Sequence, residues 1–132
     1  MNGINYLAVP AATVTAFVVS SAWYMAFAGV WARLSTAGAA TAGERPAPWK
    51  MGVEFLRTLV VVGVFAGLAA AIGVTGLPGA LGLAVVAWLG FPLIILSGSV
   101  LHEHTPVRLA ALHAGDWLVK LLAIAAVIGV WR

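Results

Sequence analysis

Cysteine is missing from this chain. Disulfides and thiolate metal sites are thereby excluded, and the redox compartment is left undefined. Charge is almost as scarce. Only 8% of the residues are Asp, Glu, Lys or Arg, against about 25% in a soluble domain. The seven basic residues are scattered and form no stripe, so the net charge of +3 does not indicate nucleic acid. No cleavable signal peptide is expected, since Met1 to Ile4 lacks the basic residues such a segment needs. Missing as well are a glycine-rich phosphate loop, GxSxG, HExxH and CxxC. A Ser-His-Asp set has no obvious members; the nearest is Ser97 approaching His113 across two neighbouring segments. The expectation is therefore no enzyme, no bound metal and no cofactor.

What the chain does have is apolar length. Hydrophobic residues make up 63% of it, and the mean hydropathy is +1.06. A soluble core of this size cannot hide so much apolar surface, so a lipid bilayer must cover part of it. Four spans are predicted within one domain, 1–132: about 5–32, 51–74, 79–101 and 106–131. Pro10 lies near the start of the first, where proline is best tolerated. Ser20 and Ser21 lie deeper and can bond to helix carbonyls or to a neighbour. Residues 33–50 form the longest loop, rich in Gly, Ala and Pro. In span two, Gly63 and Gly67 are spaced as GxxxG, which clears a helix face for packing. Pro92 predicts a kink inside span three. Pro106 opens span four, with Thr105 as its expected N-cap.

Short connections between four spans predict an all-α, integral membrane, antiparallel four-helix bundle. Arg33, Arg45, Lys50 and Arg108 fall on one side, and Arg132 alone falls on the other. The positive-inside rule then places the two charged connections in the cytoplasm and both termini outside it. A bundle of four short spans has little room for an internal pore. Close assembly into a homo-oligomer is expected for that reason, and a bacterial cytoplasmic membrane is the expected location.

Two stretches also carry a resemblance. NYLAV (Asn5 to Val9), AWY (Ala22 to Tyr24) and GVW (Gly29 to Trp31) lie near the N-terminus. LHAG (Leu112 to Gly115) and IGVW (Ile128 to Trp131) lie near the C-terminus. Together they resemble the small four-span bacterial membrane proteins of domain of unknown function 1761. The resemblance implies a membrane bundle and no particular reaction.

The chemistry concentrates in span four. His113, Asp116 and Lys120 follow one another at spacings of three and four, which puts them on one helical face. Charges inside a bilayer are costly and need partners or water. Asp116 and Lys120 make an acid-to-base pair in the favourable order. Arg57 of span two is expected at nearly the depth of His113 and within reach of Asp116. This set reads either as a proton or small-solute site or as an ion pair that locks the helices. A second set, His102, Glu103 and His104, joined by Glu54, marks a mouth on the cytoplasmic side. Trp23, Tyr24, Trp88 and Trp117 are expected to pack the interior. Trp31, Trp49 and Trp131 are expected at the membrane interfaces. The resulting expectation is an oligomeric transport or channel-like protein. Its alternative is a non-catalytic structural or accessory subunit whose ion pair serves assembly.

Overall fold

The computed structural model describes residues 5–36, 39 and 47–131. Arg45 and Arg132, which entered the charge count, lie outside the described residues, as does most of the 35–48 loop. Among the described residues, six α-helices have defined bounds: α1 (Ala8–Ala26), α2 (Ala28–Leu34), α3 (Pro48–Ala71), α4 (Leu77–Gly90), α5 (Pro92–Glu103) and α6 (Val107–Val130). No strand occurs among the described residues. Among the described residues, four segments are long and apolar enough to cross a membrane: α1, α3, α4 with α5, and α6. The protein is thus a multi-pass membrane protein whose apolar outer faces meet the bilayer.

Two of the spans are broken, for different reasons. Pro92 has no N–H to continue the ladder, so α4 ends at Gly90 and α5 begins at Pro92. The kink predicted there is present. Phe27 interrupts the first span without proline, with φ −107° and ψ 20°. Its neighbours keep the chain nearly continuous: Phe27 N donates to Trp23 O at 3.1 Å, and Trp31 N donates to Phe27 O at 2.9 Å. At the last connection, Pro106 occupies the N-cap of α6, and no side chain caps that end. Thr105 is therefore not the cap. His104 closes α5 in the left-handed conformation, with φ 58°.

Helix α6 is the axis of the bundle, packing against α1, α4 and α5 and touching α2. It runs antiparallel to α1. Asn5 reaches Trp131, Ser20 reaches Asp116, and Tyr24 reaches His113, so one number rises as the other falls. It runs antiparallel to α4 in the same way, with Leu77 and Ala80 beside Gly129 and Trp88 beside Ala114. Helix α3 packs chiefly on α1, where Phe17 and Phe55 meet edge to face at 5.6 Å.

Small side chains build the core. Ala8, Ala12 and Ala16 form a buried stripe on α1, and Ala80 and Ala84 form one on α4. Between lipid-solvated helices apolar burial gains little, and close backbone approach supplies dispersion contacts instead. The glycines that serve this approach are Gly115 and Gly129. A Cβ at Gly115 would clash with the edge of the Trp23 ring, and one at Gly129 would lie 2.9 Å from Leu77 Cα. Gly63 and Gly67 do not pack within the chain, since a Cβ at either position meets nothing within 4 Å. The GxxxG face of span two therefore points away from the bundle.

Candidate functional site in the membrane interior

Asp116 and Lys120 are both buried, at 4% and 6% exposure. By the helical rise they lie about 14 and 20 Å along α6 from Val107, close to the middle of a helix about 36 Å long. The Lys120 ammonium is 3.3 Å from Asp116 Oδ2. The other carboxylate oxygen, Oδ1, accepts a 2.6 Å hydrogen bond from Ser20 Oγ. Both oxygens are thus engaged, as a carboxylate away from water requires. Ser20 supplies its hydroxyl across the α1–α6 contact rather than to a carbonyl of its own helix.

Lys120 has a second neighbour. Its ammonium sits 4.2 Å from the centroid of the Trp117 ring, within cation–π range. The one-turn offset between Asp116 and Lys120 sets the ion pair, and the indole of Trp117 flanks the cation. Trp117 therefore does more than fill core space.

One turn toward the start of α6, Tyr24 Oη and His113 Nδ1 share a 2.6 Å hydrogen bond. The Tyr24 ring also packs on Trp31 at 5.1 Å and on His113 at 5.8 Å. Trp31, expected at the interface, is thus partly drawn into the polar layer. His113 engages Tyr24, whereas Ser97 Oγ donates to Ile94 O at 2.7 Å. The Ser97–His113 approach is not the arrangement the fold adopts.

Two indoles fix α6 in place. Trp23 Nε1 donates to Leu112 O at 3.0 Å, and Trp88 Nε1 donates to Ala114 O at 2.8 Å. Buried indole N–H groups need an acceptor, and helix carbonyls have a second lone pair to offer. These bonds pin α6 from α1 and α4 just before Asp116. Gly115 makes room for the Trp23 ring. The polar residues of α6 thus stand on a helix anchored from two sides.

Arg57 is not brought to Asp116. Its guanidinium pairs with Glu54 at 2.7 Å, and its side chain is 68% exposed. The partner one turn back on α3 is closer than any on α6, and the pair forms without crossing the gap. Thr58 Oγ1 donates to Glu54 O at 2.9 Å. That gap is an open hollow of about 260 Å³ between α3 and α6. Glu54, Arg57, Thr58 and Lys120 supply its polar lining, and Val60, Val61 and Trp117 supply its apolar walls. Arg57 and Lys120 therefore share one space, though not one ion pair.

His102, Glu103 and His104 are exposed at the end of α5. Among the described residues, no three His, Asp or Glu side chains gather as a metal ion would require. Glu54 belongs with Arg57 and does not join them in such a set.

The site residues therefore fall into two groups. Ser20, Tyr24, His113, Asp116 and Lys120 form a ladder along the α1–α6 seam, and Lys120 opens from its inner end into the hollow. Ser20 and Tyr24 are the members that sequence reasoning did not select. The signal for them was present, because a four-residue step on α1 matches the three- and four-residue steps on α6.

Comparison with known proteins yields one match. The family model described as a protein of unknown function (DUF1761) matches residues 7–129. No curated protein and no solved structure matches the chain.

Proposed function

We propose that this chain, which belongs to the DUF1761 family, is an oligomeric, transport or channel-like membrane protein with its polar site on α6. Asp116 is the proton or cation acceptor. Lys120 is its tethered counter-charge, and His113 with Tyr24 connects it toward the end of the bundle that carries Arg33, Lys50 and Arg108. The observation that carries this reading is the double position of Lys120. Its ammonium is paired with Asp116, and the residue also lines an open hollow in the bundle. An ion pair serving packing alone has no use for such an opening, and intramembrane charges beside cavities mark ion and solute routes.

We read the protein as non-catalytic and as resident in a bacterial cytoplasmic membrane, with both termini outside the cytoplasm. The grouping of Arg33, Lys50 and Arg108 supports that orientation. The unpacked face at Gly63 and Gly67 supports assembly with further copies. Proton flux into vesicles containing the purified protein tests the reading. Asp116→Asn should abolish the flux at a temperature at which the variant, destabilised by the stranded Lys120, is still folded.

A second reading rests on a different observation. Ser20, Asp116 and Lys120 satisfy one another within a seam that Trp23 closes over Gly115. That arrangement also suits a clamp in a structural or accessory subunit. A clamp predicts that Asp116→Asn costs assembly and that the intact protein conducts nothing.

A further inference from the structure

The hollow between α3 and α6 contains more donors than its own residues use. An ammonium carries three N–H donors. One direction at Lys120 is taken by Asp116 at 3.3 Å, and the Trp117 ring lies beside the cation. Lys120 is also one of the residues that line the hollow. Arg57 carries five donors in a planar fork, and the structure shows its Nη1 bound to Glu54. Thr58 has committed its proton to Glu54 O. Two cations with spare donors thus face one space, walled by Val60, Val61 and an indole. An oxyanion on a small apolar body fits both parts of that lining.

The charge balance adds a condition. Asp116, Lys120, Glu54 and Arg57 sum to zero when all are ionised. A monoanion entering beside them leaves one uncompensated negative charge in a poorly solvated place, which is costly. The carboxylate best placed to remove it is Asp116, since Glu54 is at the more exposed end, bound to Arg57. Once protonated, Asp116 keeps Ser20 as a hydrogen-bond partner and frees Lys120 for the anion. His113, the next titratable group along α6, is held by Tyr24. From α4, the nearby polar group is the Trp88 indole, which is uncharged.

We propose that the hollow is a binding site for a short-chain monocarboxylate, held by Lys120 and Arg57 and taken up together with one proton on Asp116. This deepens the reading of α6 as a proton or ion site and rests on it. The carboxylate oxygens accept from the ammonium and the guanidinium, and the hydrocarbon lies against Val60, Val61 and Trp117. The proton comes from the surrounding water and converts the Asp116 carboxylate to its acid form. Affinity accordingly rises as the medium is acidified.

The test uses the full chain in lipid nanodiscs, with butyrate as the probe and butyramide as its uncharged counterpart. Tryptophan fluorescence follows binding, and a pH indicator in weak buffer follows proton uptake. Butyrate should bind saturably with about one proton taken up per anion, and butyramide should not bind. Lys120→Gln should weaken butyrate by more than about tenfold, the scale of one charge-assisted contact. Arg57→Gln sits on an exposed residue and spares the core, so its weaker binding is the control for misfolding at Lys120. Asp116→Asn should bind butyrate without proton uptake. Absence of saturable binding, an equal response to butyramide, or an unchanged affinity in Arg57→Gln would overturn the proposal. Butyrate binding without proton uptake by the parent protein would overturn the coupling. Asp116-dependent proton flux in a protein that ignores butyrate would remove the anion site and leave the relay. Butyrate binding in a protein without flux would do the reverse.

Discussion

At the residue scale, the account turns on how a buried carboxylate is satisfied. Asp116 has two partners of unequal kind. Ser20 donates at 2.6 Å and Lys120 stands at 3.3 Å. Removing one member of a buried pair strands the other, at a cost of about 3–5 kcal/mol. Lys120→Met should therefore lower stability by about that amount, and the double variant with Asp116→Leu should recover most of it. Thermal unfolding in detergent measures both. Equal losses in the single and double variants would contradict the pairing. Ser20→Ala removes a charge-assisted bond and should cost about 1.5–3 kcal/mol. Gly115 makes the sharper steric case. Gly115→Ala puts a methyl against the edge of the Trp23 ring and should destabilise by about 1–3 kcal/mol or more. Gly63→Ala meets open space and should leave the fold's stability within about 0.5 kcal/mol.

At the element scale, the interest lies in the space between α3 and α6. Helix α3 leans on α1 and leaves α6 partly uncovered, so Lys120 sees a hollow instead of a neighbour. The absence of cysteine makes this testable with single introduced thiols. Val61→Cys, in the hollow, should react with a small water-soluble thiol reagent. Ala125→Cys, in the sealed core, should stay unreactive. Equal protection at both positions would show that water does not reach the hollow. Much at this scale was legible in the sequence. Long apolar runs announce helices that lipid must cover, and Pro92 announces its own break. The break at Phe27 was not legible, because no proline stands there. Trp23 and Phe27 lie 4.7 Å apart there.

At the scale of the whole molecule, the pair on α6 could be read from spacing alone, because i,i+4 geometry belongs to any helix. Its environment could not. Ser20 and Tyr24 become partners only once α1 and α6 have a register, and that register depends on where Gly115 admits Trp23. Arg57 was misplaced for a related reason. Arg57 shares a hollow with Trp117 and Lys120, but Glu54 stands one turn away on its own helix and pairs with it. The GxxxG of span two does not close the bundle, which packs through Gly115 and Gly129. The outward face at Gly63 and Gly67 carries a prediction of its own. Replacing both with leucine should shift the protein toward monomers in mild detergent, as read by light scattering, and should not unfold it. An unchanged particle mass would remove those glycines from any interface.

An α6 ladder that moves charge across the membrane should show itself as proton flux. The most direct measurement is acidification of dye-loaded vesicles containing the reconstituted protein under an imposed proton gradient. Flux is expected from the parent protein and none from Asp116→Asn, compared at a temperature at which the less stable variant is still folded. Equal flux from the two, or no flux from either, would contradict that expectation.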